Sequence, residues 1–200
     1  RHIEEDHRLD WVVERADVTE APLYLQVTRQ LHRHHLLKYV VGGRRDDHKL
    51  DTRDVDRAGL RARLLKTWTE ALVSGDLRPE LALPRPERAA TLEQISALAC
   101  VGLQLDTLEV KFEQLQGPDG DGSRGPYPNL WKALVRRVEE AGVRGPWRVD
   151  LPLAATWGEQ LRLVEAHGDR VRFQHSIMQA YLGSRLMGVA LEDAGFLARA

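Results

Sequence analysis

Cysteine is almost missing from these 200 residues: Cys100 stands alone. No disulfide framework can form within the chain, and the expectation is a reducing, cytoplasmic setting. Cys100 lies in an apolar helical stretch and reads as a small buried hydrophobe rather than a nucleophile. Methionine is scarce as well, with only Met178 and Met187. The chain opens on Arg1, so the expectation is a segment of a longer protein. No apolar run approaches the ~18 residues of a membrane helix, and no signal peptide is visible, so no membrane association is expected. An excess of one charge is lacking too. Lys and Arg number 29 against 30 Asp and Glu, a net charge of −1. No global field draws the chain to nucleic acid or an anionic surface.

The common catalytic signatures are absent. The chain has no G-x-x-x-x-G-K-[ST], no G-x-S-x-G, no H-E-x-x-H and no C-x-x-C. Gly42-Gly43-Arg44 is no P-loop, because no lysine-hydroxyl pair follows a second glycine. Taken alone, the chain carries no visible catalytic centre.

What is present is ordinary globular material, 42% hydrophobic and 30% charged, enough for one domain or two small ones. Apolar residues at helical spacing predict a helix over 21–41, with Pro22 in its first turn. A charged loop follows over 44–53, then a helix over 55–74 on Leu60, Leu64, Leu65, Trp68, Leu72 and Val73. Pro79, Pro84 and Pro86 mark a linker, placed at 78–88. Beyond it come a helix over 89–103, a short one capped by Asp106 or Thr107 and running to Leu115, a flexible glycine loop over 117–126, and a helix over 129–141. Residues 161–165 and 170–174 alternate around a Gly-Asp turn and predict a β-hairpin. A helix from Ser176 to about Ala190 closes the pattern. The predicted fold is therefore mainly α. A helical subdomain at 1–77 precedes a winged-helix-like subdomain and following helix at 89–200.

Several clusters suggest chemistry. His32, His34 and His35 crowd together with His48 near, and 32 and 35 would share a helix face; solvated histidines are the better reading than zinc. Asp46, Asp47, Asp51, Asp54 and Asp56 are offset by Arg44, Arg45, Arg53 and Arg57, and read as a salt-bridged surface loop. Asp119 and Asp121 lack the downstream bidentate glutamate of a calcium loop. Lys132, Arg136 and Arg137 would serve a DNA-reading helix, but Glu139 and Glu140 share it, so DNA binding is not expected. His175 is placed differently, between a strand and a helix start. There, unpaired N–H groups and the positive dipole end favour an anion such as phosphate. The plainer alternative is a histidine that caps or packs at the junction.

The run Phe173-Gln174-His175-Ser176-Ile177-Met178-Gln179-Ala180-Tyr181-Leu182-Gly183-Ser184 resembles the F-x-H-x-x-x-Q-E-Y-L-A-A signature of STAND NTPases, the NACHT and NB-ARC signalling ATPases of bacterial defence and innate immunity. Phe173, His175, Gln179, Tyr181 and Leu182 match; Ala180 stands where glutamate is usual, and Gly183-Ser184 replaces the small pair. Thr19-Glu20-Ala21-Pro22-Leu23 sits where the family opens its helical subdomain with a proline motif, with Glu20 where glycine is preferred. The resemblance spans most of the chain but is motif-grade only over the run ending at Ser184. It implies the lid of a signal-transducing nucleotide switch. A P-loop domain on the N-terminal side of the same chain would bind ATP or ADP with magnesium. Pro22 would pack near the adenine, and His175 would hydrogen-bond the β-phosphate of ADP and hold the lid closed. ATP exchange would release the winged helix, and homo-oligomerisation would follow. The parent would be the ATPase, and this segment inactive by itself. The alternatives are a winged-helix module that binds DNA or a partner protein without nucleotide, and a helical scaffold.

Overall fold

Residues 2–42, 56–142 and 149–197 are described by the computed structural model, in which the chain divides into two units, Arg1–Pro79 and Glu80–Ala200. The described residues are mainly helical with one small antiparallel sheet, as the hydrophobic pattern leads one to expect.

The first unit holds α1 (His2–Ala16), a 3-10 turn at Val18–Glu20, α2 (Pro22–Arg33), α3 (Leu37–Gly42) and α4 (Arg57–Ser74). Helix α1 has no counterpart in the sequence prediction. Its segment is heavily charged, and Val12 and Ala16 are fully buried. The single helix expected over 21–41 is two. His35 adopts φ 58°, and the Leu36 N–H bonds the Leu31 carbonyl at 2.8 Å while the His35 N–H bonds His32 at 3.0 Å. That pair of bonds is a Schellman stop, built here without the usual glycine. It returns the chain so that Leu36 and Leu37 are buried beside Leu31 in the unit's core. Helix α4 starts on the Asp56 carboxylate, which accepts the Gly59 N–H at 2.5 Å, and ends at Gly75 with φ 87°. It buries the predicted stripe except for Val73, which is half-buried, and the Trp68 indole donates to Gln30 at 2.7 Å.

The second unit is organised around α5 (Arg85–Gln104). From Ala90 to Gly102 nearly every side chain is buried, because α7 (Pro128–Glu140), α8 (Leu151–Gln160) and α9 (Ser176–Ala190) all pack on it. A helix covered all round must satisfy its polar groups internally. Thr91 and Ser96 donate back to Glu87 and Leu92, and Gln94 accepts the Asp150 N–H at the start of α8. Helix α5 also begins four residues before the predicted start, inside the expected linker. There the buried Arg88 donates to the carbonyls of Leu81 and Leu83 and fastens the proline-rich approach.

Strands β1 (Glu109–Lys111), β2 (Glu165–His167) and β3 (Arg170–Arg172) form an antiparallel sheet in the order β1-β3-β2. Val110 and Val171, paired across it, point into the core, and both are fully buried. From α5 the chain runs through β1 to α7 and α8 and then into the β2–β3 hairpin. Two expectations fail locally for one reason. The short helix capped by Asp106 or Thr107 is instead β1 followed by the four-residue α6 (Glu113–Gln116). Residues 161–164 are not strand. In both places a helix ends in a Schellman stop on a residue other than glycine, Asp106 (φ 51°) and Arg162 (φ 60°). The Thr107 N–H reaches Gly102 at 2.9 Å, and the Leu163 N–H reaches Gly158 at 2.8 Å. Within the glycine loop, Gly122 is buried under the Trp131 ring, and the Asp121 carboxylate accepts the Ser123 N–H.

Helix α9 crosses α5 at closer range than side chains normally allow. A Cβ on Gly183 would lie 3.0 Å from the Cys100 nitrogen and 3.1 Å from the Ala99 carbonyl carbon. Backbone cannot yield there, so Gly183→Ala should lower unfolding stability by about 1–3 kcal/mol, as overpacking does. Gly188, on the same helix, faces open space. Gly188→Ala should raise stability by about 0.5–1 kcal/mol. Urea unfolding of both variants checks the contrast; equal effects of one sign would contradict this crossing.

Candidate functional site

The segment that carries the sequence match is fixed at both ends before its chemistry begins. The Phe173 N–H donates to the Leu108 carbonyl at 2.8 Å, which ties the exit of β3 to the residue before β1, and the Phe173 ring is buried. His175 follows in extended conformation (φ −136°, ψ 124°) as the N-cap residue of α9. Its carbonyl accepts the Gln179 N–H at 3.1 Å, the first turn of the helix. Its half-buried imidazole makes no capping hydrogen bond. The N–H groups of Ser176, Ile177 and Met178 have no acceptor inside the helix, as at any helix start. The position combines those donors, the positive dipole end and an imidazole.

The other matched residues are packing. Gln179 is buried, and its side-chain amide donates to the Thr107 carbonyl at 2.6 Å, on the turn that ends α5. Leu182 is fully buried, and Tyr181 is half-buried. Gly102, opposite, is needed for the same contact: a Cβ there would lie 2.9 Å from the Thr107 oxygen and would also collide with the Gln179 amide. Ala180, where the pattern has glutamate, is exposed, so the departure leaves the packing intact. Beside the site, Gln174 donates to Glu165 at 3.0 Å. That bond, then His167 and Arg172, holds the Glu165 carboxyl below the usual range.

Pro22 lies in the other unit, exposed at the first position of α2. The turn that presents it is clamped by α4. Arg61 donates from Nε to the Ala16 carbonyl (2.8 Å) and from Nη2 to the Asp17 carbonyl (2.9 Å) and Glu20 (2.5 Å), and it lies over the Tyr24 ring. Arg57 adds ion pairs to Asp17 and Glu20. Glu20, which replaces the glycine of the family pattern, thus has a structural use. Its carboxyl is held below the usual range, chiefly by the Arg61 hydrogen bond.

The remaining clusters do not assemble. The helix-face pairing of His32 with His35 fails because α2 ends at Arg33, with His34 as its cap and His35 in the left-handed region. No group of three or more His, Cys, Asp or Glu converges among the described residues. His48 and Asp46, Asp47, Asp51 and Asp54 lie outside them. Asp56 caps α4, and the Asp121 carboxyl is lowered by its hydrogen bonds to Ser123. The helix that directly precedes the hairpin, α8, has no Lys or Arg in LPLAATWGEQ. On α7, Arg137 is paired with Glu93, which also takes a hydrogen bond from Arg185, and Arg136 pairs with Glu140. Among the described residues, no helix is long and apolar enough to cross a membrane. The chain matches no protein-family model, no curated protein and no solved structure.

Sequence reasoning missed the Glu93 bridge, the Arg61 clamp and the Gly102 contact. Each joins residues distant in sequence, and no local periodicity marks them. For Cys100 the expectation holds: it is fully buried, and burial pushes its thiol up to about 12. At pH 8 the thiolate fraction in the folded chain is then about one part in ten thousand. A thiol reagent at pH 8 should therefore label Cys100 only as fast as the chain unfolds. The unfolded thiol ionises near pH ~8.5 and the folded one does not, so stability should fall as pH rises from about 8.5 toward 12. Full labelling within minutes in native buffer would contradict this burial.

Proposed function

We propose that this chain is the regulatory lid of a STAND-type signalling ATPase, with His175 as its phosphate-sensing residue. One observation carries the reading. Of the residues matching the family run, Phe173, Gln179 and Leu182 are buried packing and Tyr181 is half-buried, while His175 stands at a helix start and makes no capping bond. A packed frame that presents an imidazole beside free helix N–H groups is what an anion contact requires.

The mechanism is a population shift. A P-loop domain of the same protein holds ADP or ATP with magnesium and supplies the hydrolytic chemistry. The imidazole of His175 donates to the β-phosphate of ADP and favours the closed lid. Pro22, held by the Arg61 clamp, packs against the adenine. The ligand biases closure only by the difference in contacts it makes in the two states. Loss of the histidine bond on exchange for ATP frees the winged helix, and the protein oligomerises in the cytoplasm. The proposed role is control of a nucleotide switch, with no catalytic residue in this segment.

The test is His175→Ala in the longer protein that carries the P-loop. One charge-assisted hydrogen bond corresponds to about 1.5–3 kcal/mol. ADP affinity should therefore fall about tenfold or more, and oligomers should form without stimulus. Unchanged ADP affinity together with unchanged basal assembly would remove His175 from the switch. The 200-residue chain alone should show no ATP turnover above buffer.

A further inference from the structure

The end of the second unit is fastened in a way the proposed lid function does not use. After α9 and its exposed cap residue Leu191, the chain turns back and forms the four-residue helix α10 (Ala194–Leu197). Asp193, in between, is 2% exposed. Its two carboxylate oxygens accept the N–H groups of Asn129 and Leu130, each at 2.9 Å. These are first-turn donors of α7, which have no acceptor inside their own helix. Tyr127, the N-cap residue, offers no side-chain cap, Pro128 has no N–H, and the Trp131 N–H already bonds the Tyr127 carbonyl. Asp193 therefore completes the start of α7 from more than sixty residues away, where a negative charge also meets the positive end of the helix dipole.

The flanking contacts converge on the same spot. The Asn129 side chain donates to the Glu192 carbonyl at 3.3 Å. Gln104 donates to the Phe196 carbonyl at 2.9 Å and accepts the Tyr127 hydroxyl at 2.8 Å. The Phe196 and Tyr127 rings meet edge to face at 5.8 Å. Gly195 passes so close to Pro126 that a Cβ would lie 2.7 Å from its carbonyl oxygen. All of these contacts end on residues 126–130 or on Gln104, at the tip of α5.

We propose that residues 192–197 are a releasable strap, latched by the Asp193 carboxylate onto the first turn of α7, and that strap and turn open together as one unit. The coupling follows from the donors. When the strap leaves, the Leu130 N–H of a fully buried residue loses its acceptor, and the turn cannot remain closed without the cost of an orphaned donor. When the turn frays, Asp193 is left as a buried carboxylate without its partners. The α5–α9 crossing takes no part in either event, so opening leaves that core in place.

Amide hydrogen exchange of the 200-residue protein, followed by NMR, tests this. In the wild type, the amides of Asn129, Leu130 and Phe196 should exchange through a common opening, about tenfold or more faster than those of Ile95 and Leu98 in α5. Asp193→Ala should speed exchange at those three by about tenfold and leave Ile95 and Leu98 within about twofold. Chymotrypsin cleavage after Phe196 should accelerate in parallel. Unchanged exchange at Asn129 and Leu130 in the variant would overturn the latch. An equal rise at Ile95 and Leu98 would overturn the separate unit. Should the variant not fold, the wild-type measurement decides alone: equal protection in the strap and in α5 would overturn the proposal.

Discussion

The close approach of α9 to α5 is the constraint on which the second unit depends. Gly183 lets α9 touch the backbone of α5 at Ala99 and Cys100, and Gly102 leaves room for the Gln179 amide to reach the Thr107 carbonyl. That carbonyl belongs to the turn that ends α5 and leads into β1. Helix α9 is thereby registered against helix and sheet together. Because β3 runs directly into α9, the position of His175 is set by packing on both sides of it. The polar group proposed to act is held by residues that cannot move far, which is how a single hydrogen bond gains directional meaning.

A second theme is the use of five arginines as ties within the fold. Arg61 closes the end of α1 and the turn before Pro22, Arg88 fastens the approach to α5, and Arg137 and Arg185 converge on Glu93. Arg170 joins β3 to Glu109 and Asp169. Net charge does not reveal this; only the geometry shows that these guanidiniums serve as internal ties.

The sequence disclosed the elements that follow local rules and hid those that do not. The helix from Ser176 to Ala190 and the hairpin turn at Gly168-Asp169 were legible, because a strand-to-helix change of period and a turn dipeptide announce them. Helix α7 was legible from its apolar stripe. The stops at His35, Asp106 and Arg162 were not. Each puts a residue other than glycine at positive φ, so the usual punctuation is absent, and the errors over 21–41, 106–115 and 161–164 all follow. Strand β1 was lost because no turn dipeptide joins it to a neighbouring strand in sequence; its partner, β3, defines it. At the candidate site, the placement of His175 at a helix start was legible. What was not is that Gln179 is bound to Thr107, since that contact depends on the α5–α9 crossing.

The central claim is that the start of α9 responds to the phosphates of a bound nucleotide. The most direct measurement is amide exchange at Ser176, Ile177 and Met178 in the longer protein, once with ADP and once with ATP. These donors lack a helical acceptor, so only an external one can slow them. The account predicts slower exchange in the ADP state than in the ATP state, confined to this turn. Identical exchange in the two states would contradict it.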